Sequence, residues 1–165
     1  MIFGHVATIA KYQVNWENGV YLVVLLALFN TGGRLAGGIF SDRFGRVTIM
    51  KVVFCLQAVN LALFSSYVNL PLMAMGVMVA GLCYGACFTL FPLAAADFFG
   101  LKNLGVNYGL MLTSWGTAGI LGPIVAGWAI DVAGSYFLAY NISAMLLLAA
   151  LAIAFSVKPP DVKTG

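Results

Sequence analysis

The stretch Asn30–Arg46, NTGGRLAGGIFSDRFGR, decides how this chain is read. It places an arginine inside an otherwise apolar segment, then closes that segment with a charged, glycine-bounded turn. Residues 19–41 approach the ~20 that a helix needs to cross about 30 Å of hydrocarbon, and Arg34 is their only charged group. Asp42 follows Arg34 by eight residues, a rise of roughly 12 Å at about 1.5 Å per residue. The stem of Arg34 therefore sits well inside a bilayer, although its length allows some snorkelling. An arginine at that depth costs at least ~2.5–3.5 kcal/mol, and such residues face a protein interior or a watery cavity. No acidic residue lies in any apolar stretch of the chain. The partner of Arg34 is thus a carbonyl, a group elsewhere in the protein, or a bound anion.

Composition agrees with a membrane protein. Of 165 residues, 62% are hydrophobic and 8% charged, against about a quarter charged in soluble domains. The net charge of +3 gives no reason to expect a nucleic-acid partner. Cys55, Cys83 and Cys87 fall in apolar stretches and read as small packing residues. Two thiols without clustered histidines make a poor metal site. One histidine and five acidic residues, mostly in loops, form no catalytic cluster, so neither an enzyme nor a cofactor is expected.

The expected architecture is all-α. Residues 1–10 are an apolar stub of about 15 Å, half a bilayer. They lack the basic start and cleavage site of a signal peptide, so they read as the end of a helix, with Met1 an internal start or the chain a fragment. Residues 11–18 read as a polar loop. Full spans are expected at about 19–41, 47–67, 72–96, 104–130 and 136–157, followed by a polar, proline-broken tail. If the turn at Asp42 is cytoplasmic, that side holds Arg43, Arg46, Lys51, Lys102, Lys158 and Lys163, and the other side only Lys11. By the positive-inside rule the C-terminus is then cytoplasmic.

Three glycine pairs at i, i+4 (Gly33/Gly37, Gly81/Gly85 and Gly105/Gly109) mark expected close helix contacts. The fourth span also carries Gly116, Gly119, Gly122, Pro123 and Gly127, and reads as either a kinked moving part or a tightly packed one. Asn30 lies one turn before Arg34 and is placed to orient it. Trp115 shares a face with Tyr108 and Met111, and reads as lining the cavity, facing lipid or packing. His5 is a candidate proton relay or ligand contact. Gln57 and Asn60 are expected to bond between helices, and Asp97 to pair with Arg43 or Arg46.

Gly38-Ile39-Phe40-Ser41-Asp42-Arg43-Phe44-Gly45-Arg46 resembles the G-x-x-x-D-R-x-G-R signature of the major facilitator superfamily. That signature lies on the cytoplasmic loop between the second and third helices of each six-helix half. In this reading Gly38 permits close helix contact and Gly45 a tight turn. Asp42 accepts bonds from arginines and faces a helix N-terminus of the other half, forming a latch with Arg43 and Arg46. The resemblance implies half of a superfamily bundle: the end of a seventh helix and five full helices, the N-terminal half being elsewhere.

Gly4-His5, Gly33-Arg34, Ala96-Asp97-Phe98-Phe99-Gly100, Asn107-Tyr108-Gly109 and Leu112-Thr113-Ser114-Trp115-Gly116 are further similar to the oxalate/formate antiporter family, which is related to the monocarboxylate transporters. Both carry an arginine in the eighth helix at this offset, where it binds the substrate carboxylate; Arg34 matches it. The resemblance implies a bacterial inner-membrane secondary transporter of a small carboxylate, coupled to a proton or counter-anion. Arginine suits this role because its planar fork donates two parallel bonds. There are two departures. Asn30 stands where monocarboxylate transporters have aspartate. Trp115 stands where oxalate transporters have a second cation, a lysine of the eleventh helix. Without that lysine a monocarboxylate such as formate, lactate or pyruvate is the expected cargo. A membrane scaffold or assembly subunit is the competing class.

Overall fold

The computed structural model describes residues 2–158, so Lys163 and the tail beyond Lys158 lie outside the described residues. The chain forms six helices: α1 (Ile2–Val14), α2 (Val20–Phe44), α3 (Arg46–Phe64), α4 (Leu70–Phe99), α5 (Leu104–Ala133) and α6 (Phe137–Ser156). There is no strand among the described residues. The last five helices are long and apolar enough to cross a membrane; α1 has 13 residues.

Most helices run further than hydropathy alone implies. Residues 11–14 continue α1 instead of forming a loop. The polarity of Gln13 is absorbed within the protein: its side chain donates to Phe64 O at 2.6 Å and Tyr67 O at 3.1 Å. It also accepts from the Tyr140 hydroxyl at 3.1 Å. Asn15, at φ 53°, ends the helix. The expected turn after residue 41 shrinks to one residue, because α2 runs to Phe44 and α3 begins at Arg46. Gly45 makes this possible at φ 88°, a conformation that strains any residue with a Cβ. At the start of α4, Asn69 Oδ1 accepts from Leu72 N at 3.2 Å, with proline in the first turn.

The tightest seam joins α2 to α4. A Cβ on Gly85 would lie 1.9 Å from Asn30 O, and one on Gly33 would lie 2.1 Å from Leu82 O. Both seams expected at Gly33/Gly37 and Gly81/Gly85 are therefore one contact, backbone against backbone. Gly105 and Gly109 depart from the expectation, since a Cβ on either meets nothing within 4 Å. The core sits between α1, α2, α3, α4 and α6, around Ile9, Leu26, Phe64, Val77 and Tyr140. Asn60 ties α3 to α4 by donating to Gly76 O at 3.0 Å, as expected of an interhelical polar group, while Gln57 accepts from Asn60 within α3. The outlier is α5, of which only Ala126 and Ala129 are buried.

Candidate functional site

Because α2 is locked to α4 through glycine, side chains flanking the seam are fixed in register. Arg34 is one of them. Its backbone carbonyl accepts from Thr89 Oγ1 on α4 at 3.1 Å. Its Nε donates to Asn30 Oδ1 at 3.2 Å, so Asn30 orients it as the one-turn spacing implies. The guanidinium carbon lies 4.5 Å from the centroid of the Phe88 ring. With Ala27, Thr31 and Tyr84 these residues line an open hollow of about 510 Å³. Arg34 thus points along the bundle wall formed by α4.

Neither contact neutralises it. An amide oxygen carries only a partial charge, and a ring face attracts a cation by ~0.5–2 kcal/mol. Among the described residues the ion pairs are those of Arg46, and none includes Arg34. The arrangement is a pre-oriented cationic fork with open space before it.

An aromatic wall backs this hollow, and it joins α4 to the otherwise loose α5. Trp115 Nε1 donates to the Tyr84 hydroxyl at 2.9 Å. The Trp115 ring lies 4.1 Å from that of Phe88 and 5.9 Å from that of Phe91. Trp115 therefore packs, and in the same position walls two hollows. One, of about 280 Å³, is shared with Tyr108 and Met111. The other, of about 430 Å³, lies between α3, α4, α5 and α6 and is also lined by Gly4 of α1. Asn30, Arg34 and Trp115 are thus brought together through Phe88, with Tyr108 beyond them. His5 is not part of this group. Its ring lies 6.1 Å from that of Tyr136, which precedes α6. Tyr84, Phe88 and Thr89 are the participants that sequence reasoning missed. Tyr84, Phe88 and Phe91 recur at i, i+4, i+7, but in a uniformly apolar helix that spacing does not stand out.

At the other end of α2 the charged turn is organised by Arg46. It donates to the Asp42 carboxylate and, at 2.7 Å, to Ser41 Oγ, and it pairs with Asp97 of α4 at 3.4 Å. Asp97 therefore chooses Arg46. Arg43 lies over its neighbour Phe44 at 5.5 Å. Gly38 does not make the close approach expected of it: a Cβ there would meet Thr89 Cγ2 at an ordinary 3.6 Å, whereas one on Gly37 would meet Ala86 Cα at 2.9 Å. The helix period puts Gly33 and Gly37 on the seam and Gly38 at its edge. The Asp42 side chain remains 69% exposed.

The family model described as Major Facilitator Superfamily matches residues 3–165. An oxalate:formate antiporter of Oxalobacter formigenes is 37% identical over 134 residues, covering 80% of this chain and 32% of that protein. The MFS-type transporter YhjX of Escherichia coli (strain K12) is 31% identical over 102 residues, 59% of this chain and 25% of that protein. Human monocarboxylate transporter 14 is 26% identical over 158 residues, 92% of this chain and 30% of that protein. The chain spans about a third of the length of the curated relatives it matches, or less.

Proposed function

The chain belongs to the major facilitator superfamily, and from that premise we propose that it forms part of a secondary transporter for a small organic anion, of monocarboxylate type. The observation that carries this reading is Arg34: a membrane-depth guanidinium, aimed by Asn30 and seated on Phe88, with no ion pair among the described residues. A bound carboxylate supplies the missing charge through two parallel N–H donors. Trp115 and Tyr108 close the apolar side of the site, where oxalate's second charge would have no cation. His5, beside Tyr136 and apart from this group, keeps the role of a candidate relay for a coupled proton or of a separate cargo contact. The remainder of the protein supplies the facing half, and rocking of the halves alternates access to a midplane site.

In this reading Gly38, Asp42, Arg43, Gly45 and Arg46 form the cytoplasmic latch, and the protein sits in a bacterial inner membrane with its C-terminus in the cytoplasm. Relatives named for oxalate, formate and monocarboxylates support the cargo class. The test is Arg34→Lys in the complete protein, reconstituted with labelled formate, lactate or pyruvate. Lysine keeps the charge and loses the fork. Uptake should fall at least about a hundredfold, a loss of roughly 2.7 kcal/mol, with insertion unchanged. Uptake that survives the substitution removes Arg34 from the contact.

A further inference from the structure

Away from the Arg34 hollow, the edge where α3 begins and α6 ends holds a cation that the transport reading does not use. Lys51 lies five residues beyond Arg46, about 7.5 Å along the helix, which is below the level of the charged turn. Its ammonium lies 4.8 Å from the centroid of the Phe155 ring on α6. No ion pair among the described residues includes it. Phe155 itself is 68% exposed and Lys51 is half-buried, so ring and ammonium sit together at the surface of the described helices.

Beyond this cation the outer face of α3 is a continuous apolar stripe of Val52, Leu56, Val59 and Leu63, each exposed. Their i, i+4, i+7, i+11 spacing keeps them on one side of the helix. Lys158, exposed just past the end of α6, adds a second positive charge at the same edge. Asp42 and Asp97 are both drawn to Arg46. Among the described residues the edge therefore presents unpaired cations to a headgroup, while both nearby carboxylates are engaged by Arg46.

We propose that this edge seats an acidic phospholipid, its phosphate on Lys51 and one acyl chain along Val52, Leu56, Val59 and Leu63. The Phe155 ring holds the ammonium at the depth of the phosphate and keeps it from extending into water. The seat is independent of Arg34 and of any cargo.

The proposal is tested on the complete protein, purified from a mixture of equal phosphatidylglycerol and phosphatidylcholine with the same acyl chains. Native mass spectrometry counts the lipids that stay bound. One lysine near an anionic headgroup favours it about fivefold, so phosphatidylglycerol should be retained over phosphatidylcholine by roughly that ratio. Lys51→Ala should lower the ratio by about that factor, and Lys51→Arg should restore it. A ratio near one in the wild type, or a preference that survives Lys51→Ala, overturns the seat. A wild-type ratio near one that rises with Asp161→Asn would put the chain's own tail on Lys51, and also overturns it.

Discussion

At the scale of single residues, the decisive pair is Asn30 and Arg34. The 3.2 Å bond between them is neutral on one side, so it aims the guanidinium without discharging it. Aspartate at position 30 keeps the size and the hydrogen bond but adds a full charge one turn away. The resulting pair is charge-assisted, and an incoming carboxylate has to compete with it. Asn30→Asp should therefore weaken carboxylate binding at least about tenfold, or roughly 1.4 kcal/mol, measured by equilibrium binding to the reconstituted protein. Affinity equal to wild type would mean that the anion binds elsewhere. The role of Asn30 was legible in sequence because i, i+4 neighbours on a helix always face each other. The seat on Phe88 was not, because it depends on which helix packs beside α2 and at what register.

At the scale of helices, three glycine pairs with one spacing have two different fates. Gly33/Gly37 and Gly81/Gly85 form the α2–α4 seam, whereas Gly105 and Gly109 face open space. Spacing fixes the face of a helix on which small residues lie; it does not say whether a neighbour comes to that face. Gly85→Ala should be costly, since its Cβ would lie 1.9 Å from the carbonyl oxygen of Asn30. Overpacking of this kind costs about 1–3 kcal/mol, and here it also displaces the residue that aims Arg34. Thermal unfolding in detergent should show a lowered midpoint, with carboxylate binding reduced in the protein that remains folded. Gly109→Ala should leave the midpoint within error. A comparable fall at Gly109 would place another part of the protein against α5. Helices α1 and α2 show why ends are harder to read than spans. Hydropathy stops at the membrane edge, but backbone hydrogen bonding continues until a residue such as Asn15 or Gly45 breaks it.

For the whole molecule, the order of spans and the charged turn were legible because a bilayer imposes length and sign: about 20 apolar residues per crossing, and lysine and arginine gathered on one side. The loose attachment of α5 was not, since its glycines and Pro123 fit a tightly packed helix as well as a kinked, moving one. The charged turn is where sequence and geometry meet. Arg46 holds three partners at once: Ser41 and Asp42 beside the turn, and Asp97 on α4. If Asp42 also reaches the other half of the transporter, its exposed oxygens are the link between local fold and global state. Asp42→Asn removes that charge while leaving Arg46 bonded to Asp97 and Ser41, so the turn itself should survive. The expected outcome is carboxylate affinity within about twofold of wild type, and exchange across proteoliposomes slowed at least tenfold, or roughly 1.4 kcal/mol in the barrier to the state change. Binding and exchange measured on the same preparation separate the possibilities. Equal loss of both would mean that Asp42 supports folding of the α2–α3 turn, and unchanged exchange would mean that the two halves engage through other groups.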